Sequence, residues 1–376
     1  MRVRWRDALP YYPLLPLGAL IALVWANTAG ESYFRVAQAL AFPVDDIGVT
    51  FGLAWVAQEV LEGIEPGGTL PSRRQTWLAV ALGIGGAVAA AAAYALYVHL
   101  ADEQVLVQGW PIVCGVDVFV GVAVARIIFR RGRTVRAVVI LAVASDVLAL
   151  LVISRRPLLA AANPAALGLI VLALAVSFVL RRCGVRTMWA YLVAAGPLAW
   201  LGCYWAGLHP ALGLLPIVPF FPRSSRALDD FATDRHEHAS LTHFESAFAY
   251  PLQAVAFLFG LVNGGVMWRG VDTGTWAVLA ASVAGRPLGI LLTAAFAAWC
   301  GFEPERYVPW RDLVVVAFIG SAGSVFALFL STTVFPEGPL LAEVKLGAIA
   351  SVTGVVLAGA AAWALGVGRF ARSSQA

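Results

Sequence analysis

Runs of about twenty apolar residues, parted by short polar segments, recur along the whole chain. They fall near 11–26, 46–64, 77–98, 109–129, 135–154, 163–180, 187–201, 203–221, 247–264, 273–296, 312–332 and 342–367. A helix that crosses the hydrocarbon core of a bilayer needs roughly 20 such residues. The pattern therefore predicts about twelve transmembrane helices, with the pair at 187–221 only weakly separated. Stretches such as "GIGGAVAAAAAYA" (83–95) are rich in small residues, which let helices approach closely in lipid. Two runs carry breakers. The run at 109–129 holds Pro111 and Gly115 ahead of Asp117, and the run at 312–332 holds Gly320, Ser321, Gly323 and Ser324. Interrupted helices in corresponding positions of two halves point to the central site of a transporter. The N–H and C=O groups they release must be met by protein or water.

Composition moves the reading from patterned helices to a lipid-embedded protein. The chain of 376 residues is 60% hydrophobic and only 13% charged, with a mean hydropathy of +0.81. Soluble domains carry about 25% charged residues. The net charge of +4 does not indicate nucleic acid, because the basic residues, all Arg except Lys345, lie mainly in short loops between apolar runs. Their placement predicts topology. With the N-terminus inside, 19 of the 26 basic residues fall in inside segments, and Arg35, Arg155, Arg156, Arg269 and Lys345 fall outside. This predicts an even number of crossings with both termini cytoplasmic; Arg155 and Arg156 run against the trend. The N-terminal stretch lacks a clear cleavage site and is expected to be a retained first helix.

The chain is expected to form one transporter domain, 1–376, with halves at 1–222 and 247–376. A polar cytoplasmic loop, 223–246, joins them; its His236, His238 and His243 are expected to be solvated rather than metal-bound. Cys114, Cys183, Cys203 and Cys300 show no CxxC spacing and are expected to be small buried hydrophobes. No catalytic group, cofactor or resident metal is expected, and the protein is read as no enzyme.

Few ionisable residues lie deep in the runs: Glu59, Asp117, Asp146 and Arg286. A charge at mid-bilayer costs from about 3 to over 10 kcal/mol, so such residues mark functional sites. Two deep acids facing one base leave a surplus negative charge, which a proton or a cation would neutralise. Desolvation favours the protonated carboxyl and a nearby cation favours the ionised one. Protons and a small hard cation can then compete for Asp146, with the hydroxyl of Ser145 as an added oxygen.

These residues, with their surroundings, resemble the NhaA-type sodium/proton antiporters over about residues 45–366. The likeness rests on "QEVLEG…LPSRRQ" (58–75), "GWPIVCGVDVFVGV" (109–122), "ASDVLALLVI" (144–153), "AGLHPALGLLPIVPFF" (206–221), "LFGLVNGGV" (258–266), "AGRPLGI" (284–290), "GSAGSVFALFLS" (320–331) and "KLGAIASVTG" (345–354). The resemblance implies an all-α membrane fold of about twelve helices, built as inverted repeats with two discontinuous, crossed helices (spans four and eleven). It implies exchange of Na⁺ or Li⁺ for H⁺ by alternating access in a bacterial inner membrane, and a homodimer.

Carried over by residue, Asp146 matches the ion- and proton-binding carboxylate, and Asp117 and Arg286 match the charges that compensate helix dipoles. Gly115, Gly320, Ser321 and Gly323 match broken-helix backbone, and Glu59 and Glu62 the cytoplasmic funnel. Four positions depart from the family, one of them at the funnel, where Gln58 stands in place of a basic residue before Glu59. Val116 replaces a Thr, Ser145 replaces the first of two adjacent Asp residues, and Arg286 replaces a Lys. Arginine does not deprotonate in proteins, so one titrating carboxylate predicts one-for-one, electroneutral exchange. The alternative is a transporter on the same scaffold for a small anion or organic solute. The family's dimerising hairpin is absent, and "FRVAQALAF" (34–42) is expected as an interfacial helix.

Overall fold

Lipid offers no partner to backbone N–H and C=O groups, and a helix satisfies them within its own segment. The computed structural model describes residues 14–64, 73–130, 132–154, 164–222, 253–268 and 271–371, and among these there are helices and no strand. In chain order they are α1 (Leu14–Thr28) and α2 (Gly30–Ala41), which continues through a π-helical segment (Phe42–Gly48) into α3 (Val49–Ile64). Next come α4 (Arg73–Leu100), a 3-10 segment (Gln104–Cys114) leading into α5 (Val118–Phe129), α6 (Arg133–Ile153), α7 (Pro164–Arg182), α8 (Met188–Ala194) and α9 (Gly196–Trp205). The second half holds α10 (Gln253–Asn263), α11 (Thr273–Ala280), a π-helical segment (Ala281–Gly285) and α12 (Arg286–Trp299). It ends with α13 (Pro304–Tyr307), α14 (Trp310–Gly320), α15 (Ser324–Val334), α16 (Pro339–Ala350) and α17 (Thr353–Leu365).

Six helical runs among the described residues are long and apolar enough to cross a membrane. Two bent pairs raise this to eight: the 3-10 segment with α5, bent by 51°, and α14 with α15, bent by 44°. Both bends fall where the sequence places Pro, Gly and Ser. The expected interfacial stretch is helical, as part of α2, with Tyr33 buried on one side and an exposed Glu31–Arg35 pair on the other. The cytoplasmic loop 223–246 lies outside the described residues.

Three expectations need correction. The run 203–221 is not a continuous helix. Beyond α9 the chain passes through turns and short 3-10 pieces (Pro210–Leu212 and Val218–Phe220). Pro210, Pro216 and Pro219 bring no N–H to an α-helical ladder, and the observed bonds are the tighter i→i+3 kind, such as Gly213 N to Pro210 O and Phe220 N to Ile217 O. Lys345 does not sit in an outside loop; it is buried within α16. Cys183 and Cys300 are exposed, because each lies just past the end of a helix.

Helix α4 is the common support of the molecule. It packs against α6, α12 and the 3-10 segment. Glycines make these contacts close: a Cβ at Gly83 would fall on the carbonyl oxygen of Leu141 in α6. By contrast, a Cβ at Gly359 in α17 meets nothing within 4 Å.

These two positions give opposite expectations for detergent-purified protein followed by scanning fluorimetry. Gly83→Val should destabilise by about 1–3 kcal/mol through overpacking. Gly359→Ala should be neutral or stabilise by up to about 1 kcal/mol, the helix-propensity gain. Equal melting of the two variants would contradict the close α4–α6 contact.

Candidate functional site

The two bends lie against each other. The amide of Asp117, in the first break, donates to the carbonyl of Ala322, in the second, at 3.0 Å. Gly115 and Gly323 allow this approach, since a Cβ at Gly323 would stand 3.0 Å from the Gly115 carbonyl oxygen. Gly320 and Ser321 close α14 beside them, both buried.

Each interrupted helix leaves unpaired backbone groups at its ends, and charged side chains meet them. Arg286 Nη2 donates to the carbonyls of Val113 and Gly115, the latter at 2.7 Å, where the 3-10 segment stops. Asp117 caps the start of α5, its Oδ1 accepting the N–H of Val120 at 3.1 Å. The N–H groups of Phe119 and of Val325, at the start of α15, also act on this carboxylate. A cation thus serves a carbonyl-bearing end and an anion serves N–H-bearing ends, as the helix dipole favours.

Asp146 projects from α6 toward the same break. Its Oδ1 accepts the N–H of Val116 at 2.7 Å. Asp146, Asp117 and Arg286 are each at most 3% exposed. The three groups are close enough for their charges to act on Asp146, yet neither carboxylate comes within 4.0 Å of the guanidinium. Among the described residues Arg286 therefore bonds backbone and forms no ion pair. Three buried polar atoms of the site stay without a hydrogen-bond partner: Asp117 Oδ2, Arg286 Nε and Arg286 Nη1. Buried polar atoms are nearly always paired, so orphans gathered in one place call for a partner such as water or an ion.

Ser145 is fully buried, and its hydroxyl lies between the carbonyls of Gly83 (3.1 Å) and Leu141 (3.0 Å). Its single proton is committed to the α4–α6 seam. Val116 is buried and brings only its backbone N–H to Asp146. Glu59 and Glu62 lie on the last turns of α3; their side chains fall outside the described residues. No group of three or more His, Cys, Asp or Glu side chains that could hold a resident metal occurs among the described residues.

A second buried polar cluster escaped the sequence reading. Lys345 Nζ donates to the carbonyls of Asn263 (3.1 Å) and Gly265 (3.3 Å), where α10 ends. Asn263 Nδ2 in turn donates to Asp45 Oδ1 at 2.7 Å. The signal was present: Lys345 is the one lysine in the chain and stands inside an apolar run, the criterion that singled out Arg286.

The family described as Na⁺/H⁺ antiporter 1 matches residues 13–365. The Na⁺/H⁺ antiporter NhaA of Desulfitobacterium hafniense is 34% identical over 370 residues, 94% of each chain. That of Geotalea uraniireducens is 32% identical over 374 residues, 96% of each chain, and that of Jannaschia sp. is 31% identical over 415 residues, 97% of each. A match that spans nearly the whole sequence, on a helical chain with two adjoining breaks and three buried charges, places this protein in the NhaA-type Na⁺/H⁺ antiporter family.

Proposed function

We propose that this protein exchanges Na⁺ or Li⁺ for H⁺ across the membrane by alternating access, and that Asp146 is the group that holds either ion but not both. The observation that carries this reading is the buried Asp146 carboxylate, which faces backbone N–H rather than the guanidinium. A carboxylate without a salt-bridge partner needs a neutralising ion in a poorly hydrated site. A proton and a hard monovalent cation are the two candidates that an oxygen ligand suits. Asp117 and Arg286 act as fixed charges: each is spent on helix ends, and Arg286 cannot release a proton. Together with Asp146 they leave one surplus negative charge, matched by one H⁺ or one Na⁺. Exchange is then one-for-one and electroneutral. Ser145, which stands where the family has a further acid, tightens helix packing instead of titrating.

The wider reading has twelve crossings, the two bent pairs crossing at mid-membrane, and both termini on the cytoplasmic side. It takes the protein to be a homodimer in a bacterial inner membrane. A second reading, transport of a small anion or organic acid, draws on the free Nε and Nη1 of Arg286, a fork that suits a carboxylate. Proteoliposomes loaded with a pH-sensitive dye and challenged with Na⁺, Li⁺, K⁺ and organic anions separate the two. Na⁺- or Li⁺-driven alkalinity changes support the first, and anion-driven changes the second.

Two outcomes are expected in that assay. Asp146→Asn should reduce exchange to the level of empty vesicles while the variant melts like the parent, and competition should raise the apparent KM for Na⁺ as pH falls, by up to about tenfold per pH unit. A KM independent of pH would remove the shared site. Wild-type exchange should also leave a voltage dye silent, whereas Ser145→Asp combined with Arg286→Lys, which restores a second titrating pair, should generate a membrane potential. A voltage signal from the wild type would refute one-for-one coupling.

A further inference from the structure

Away from the breaks, two buried polar groups stand unpartnered at one end of α6. The first is the hydroxyl of Tyr307, at the end of α13, whose side chain is only 3% exposed. The second is Nε of Arg136, on the first turn of α6. Tyr307 belongs to the same buried cluster as Val135, on the first turn of α6 beside Arg136, and the charges of Arg136 and Arg133 reach its phenol, so the groups face a common space. Burial pushes that phenol up to about 12, which keeps its proton in place and makes it a donor. The start of α6 adds more donors. Gly132 is its N-cap and has no side chain to cap with. The first intrahelical bond is Arg136 N to Gly132 O, so the N–H groups of Arg133, Thr134 and Val135 precede the ladder. At a helix start the dipole also favours negative charge.

The acid facing this space is Asp312 of α14. Its Oδ2 accepts from the Thr134 hydroxyl at 3.3 Å. It makes no ion pair within 4.0 Å with Arg133 or Arg136, and one carboxylate against two guanidinium groups leaves one positive charge in excess. Donors thus outnumber acceptors, and two of them are buried without a partner. Both lone donors are accounted for by one ligand rich in acceptor oxygens. The setting fits a phosphate-bearing ligand at a membrane surface: α13 links α12 to α14, Trp299 at the end of α12 is 82% exposed, and tryptophans concentrate at headgroup level.

We infer that the start of α6, with Arg133, Arg136 and Tyr307, forms an oxyanion site that takes a phosphate group. Phosphate oxygens accept from Tyr307 Oη and Arg136 Nε, and the exposed Arg133 adds charge. Such charge-assisted bonds are the strong kind. The group can come from an anionic phospholipid headgroup or from free inorganic phosphate. The site lies on loop-side residues that the ion-exchange reading does not use.

The test uses the full-length protein and its Tyr307→Phe, Arg136→Lys and Arg136→Gln variants. Melting is followed in delipidated detergent solution titrated with inorganic phosphate, and in nanodiscs of phosphatidylcholine with or without phosphatidylglycerol. A rise in Tm with phosphate identifies the free ion, and a rise confined to phosphatidylglycerol identifies the headgroup. In either case Tyr307→Phe should weaken the apparent affinity about tenfold, the loss of one hydrogen bond to a charged group, and Arg136→Gln should abolish the rise. Arg136→Lys, which keeps the charge but not Nε, should fall between them. Exchange by Tyr307→Phe in phosphatidylcholine alone should equal that of the parent. No rise with either ligand, or the same rise in all four proteins, overturns the site.

Discussion

The fold turns on how unpaired backbone is kept in an apolar interior. Two helices stop and restart beside each other, and each end exposes groups that lipid cannot satisfy. Arg286 answers the carbonyls of Val113 and Gly115, and Asp117 answers the N–H groups that open α5. Neither charge could stay buried without these dipoles, and the broken helices could not stay buried without the charges. Gly115 and Gly323 are the positions where a side chain would separate the two breaks.

This mutual dependence also sets the character of Asp146. Its neighbours are engaged elsewhere, so its charge is balanced by no fixed partner. It keeps one bond, to the N–H of Val116, a group that is free to bond only because the helix is interrupted there. The scaffold and the Asp146 carboxylate are thus linked through a single stretch of backbone, residues 113–117. Lys345 repeats the device at the end of α10, with two carbonyls two residues apart held by one buried cation.

Much of this was legible in the sequence. Apolar runs locate the helices, because lipid demands length and uniform apolarity. Pro111, Gly115, Gly320 and Gly323 mark the breaks, because those residues tolerate the end of a ladder. Asp117, Asp146 and Arg286 stand out because ionisable residues in apolar runs are costly. What was not legible depends on tertiary contact. Sequence proximity to an acid drew attention to the Ser145 oxygen, but not to the carbonyls of Gly83 and Leu141 between which its proton is held at the seam of α4 and α6. The partner of Arg286 could not be read from the sequence, because the carbonyls it bonds, Val113 and Gly115, come to it only through the fold. The irregular stretch after α9 was masked by its hydrophobicity, which conceals three prolines from a test based on apolar length.

The π-helical segment at Ala281–Gly285, immediately before Arg286, has a geometric consequence. A π turn holds one residue more than the α-helix around it, and each α-helical residue advances about 100° around the axis. The guanidinium therefore owes its compass bearing to a local surplus of chain. Shortening that wide turn by one residue would swing Arg286 more than a quarter revolution away from the broken strand of backbone it now steadies, with the composition of the helix otherwise intact.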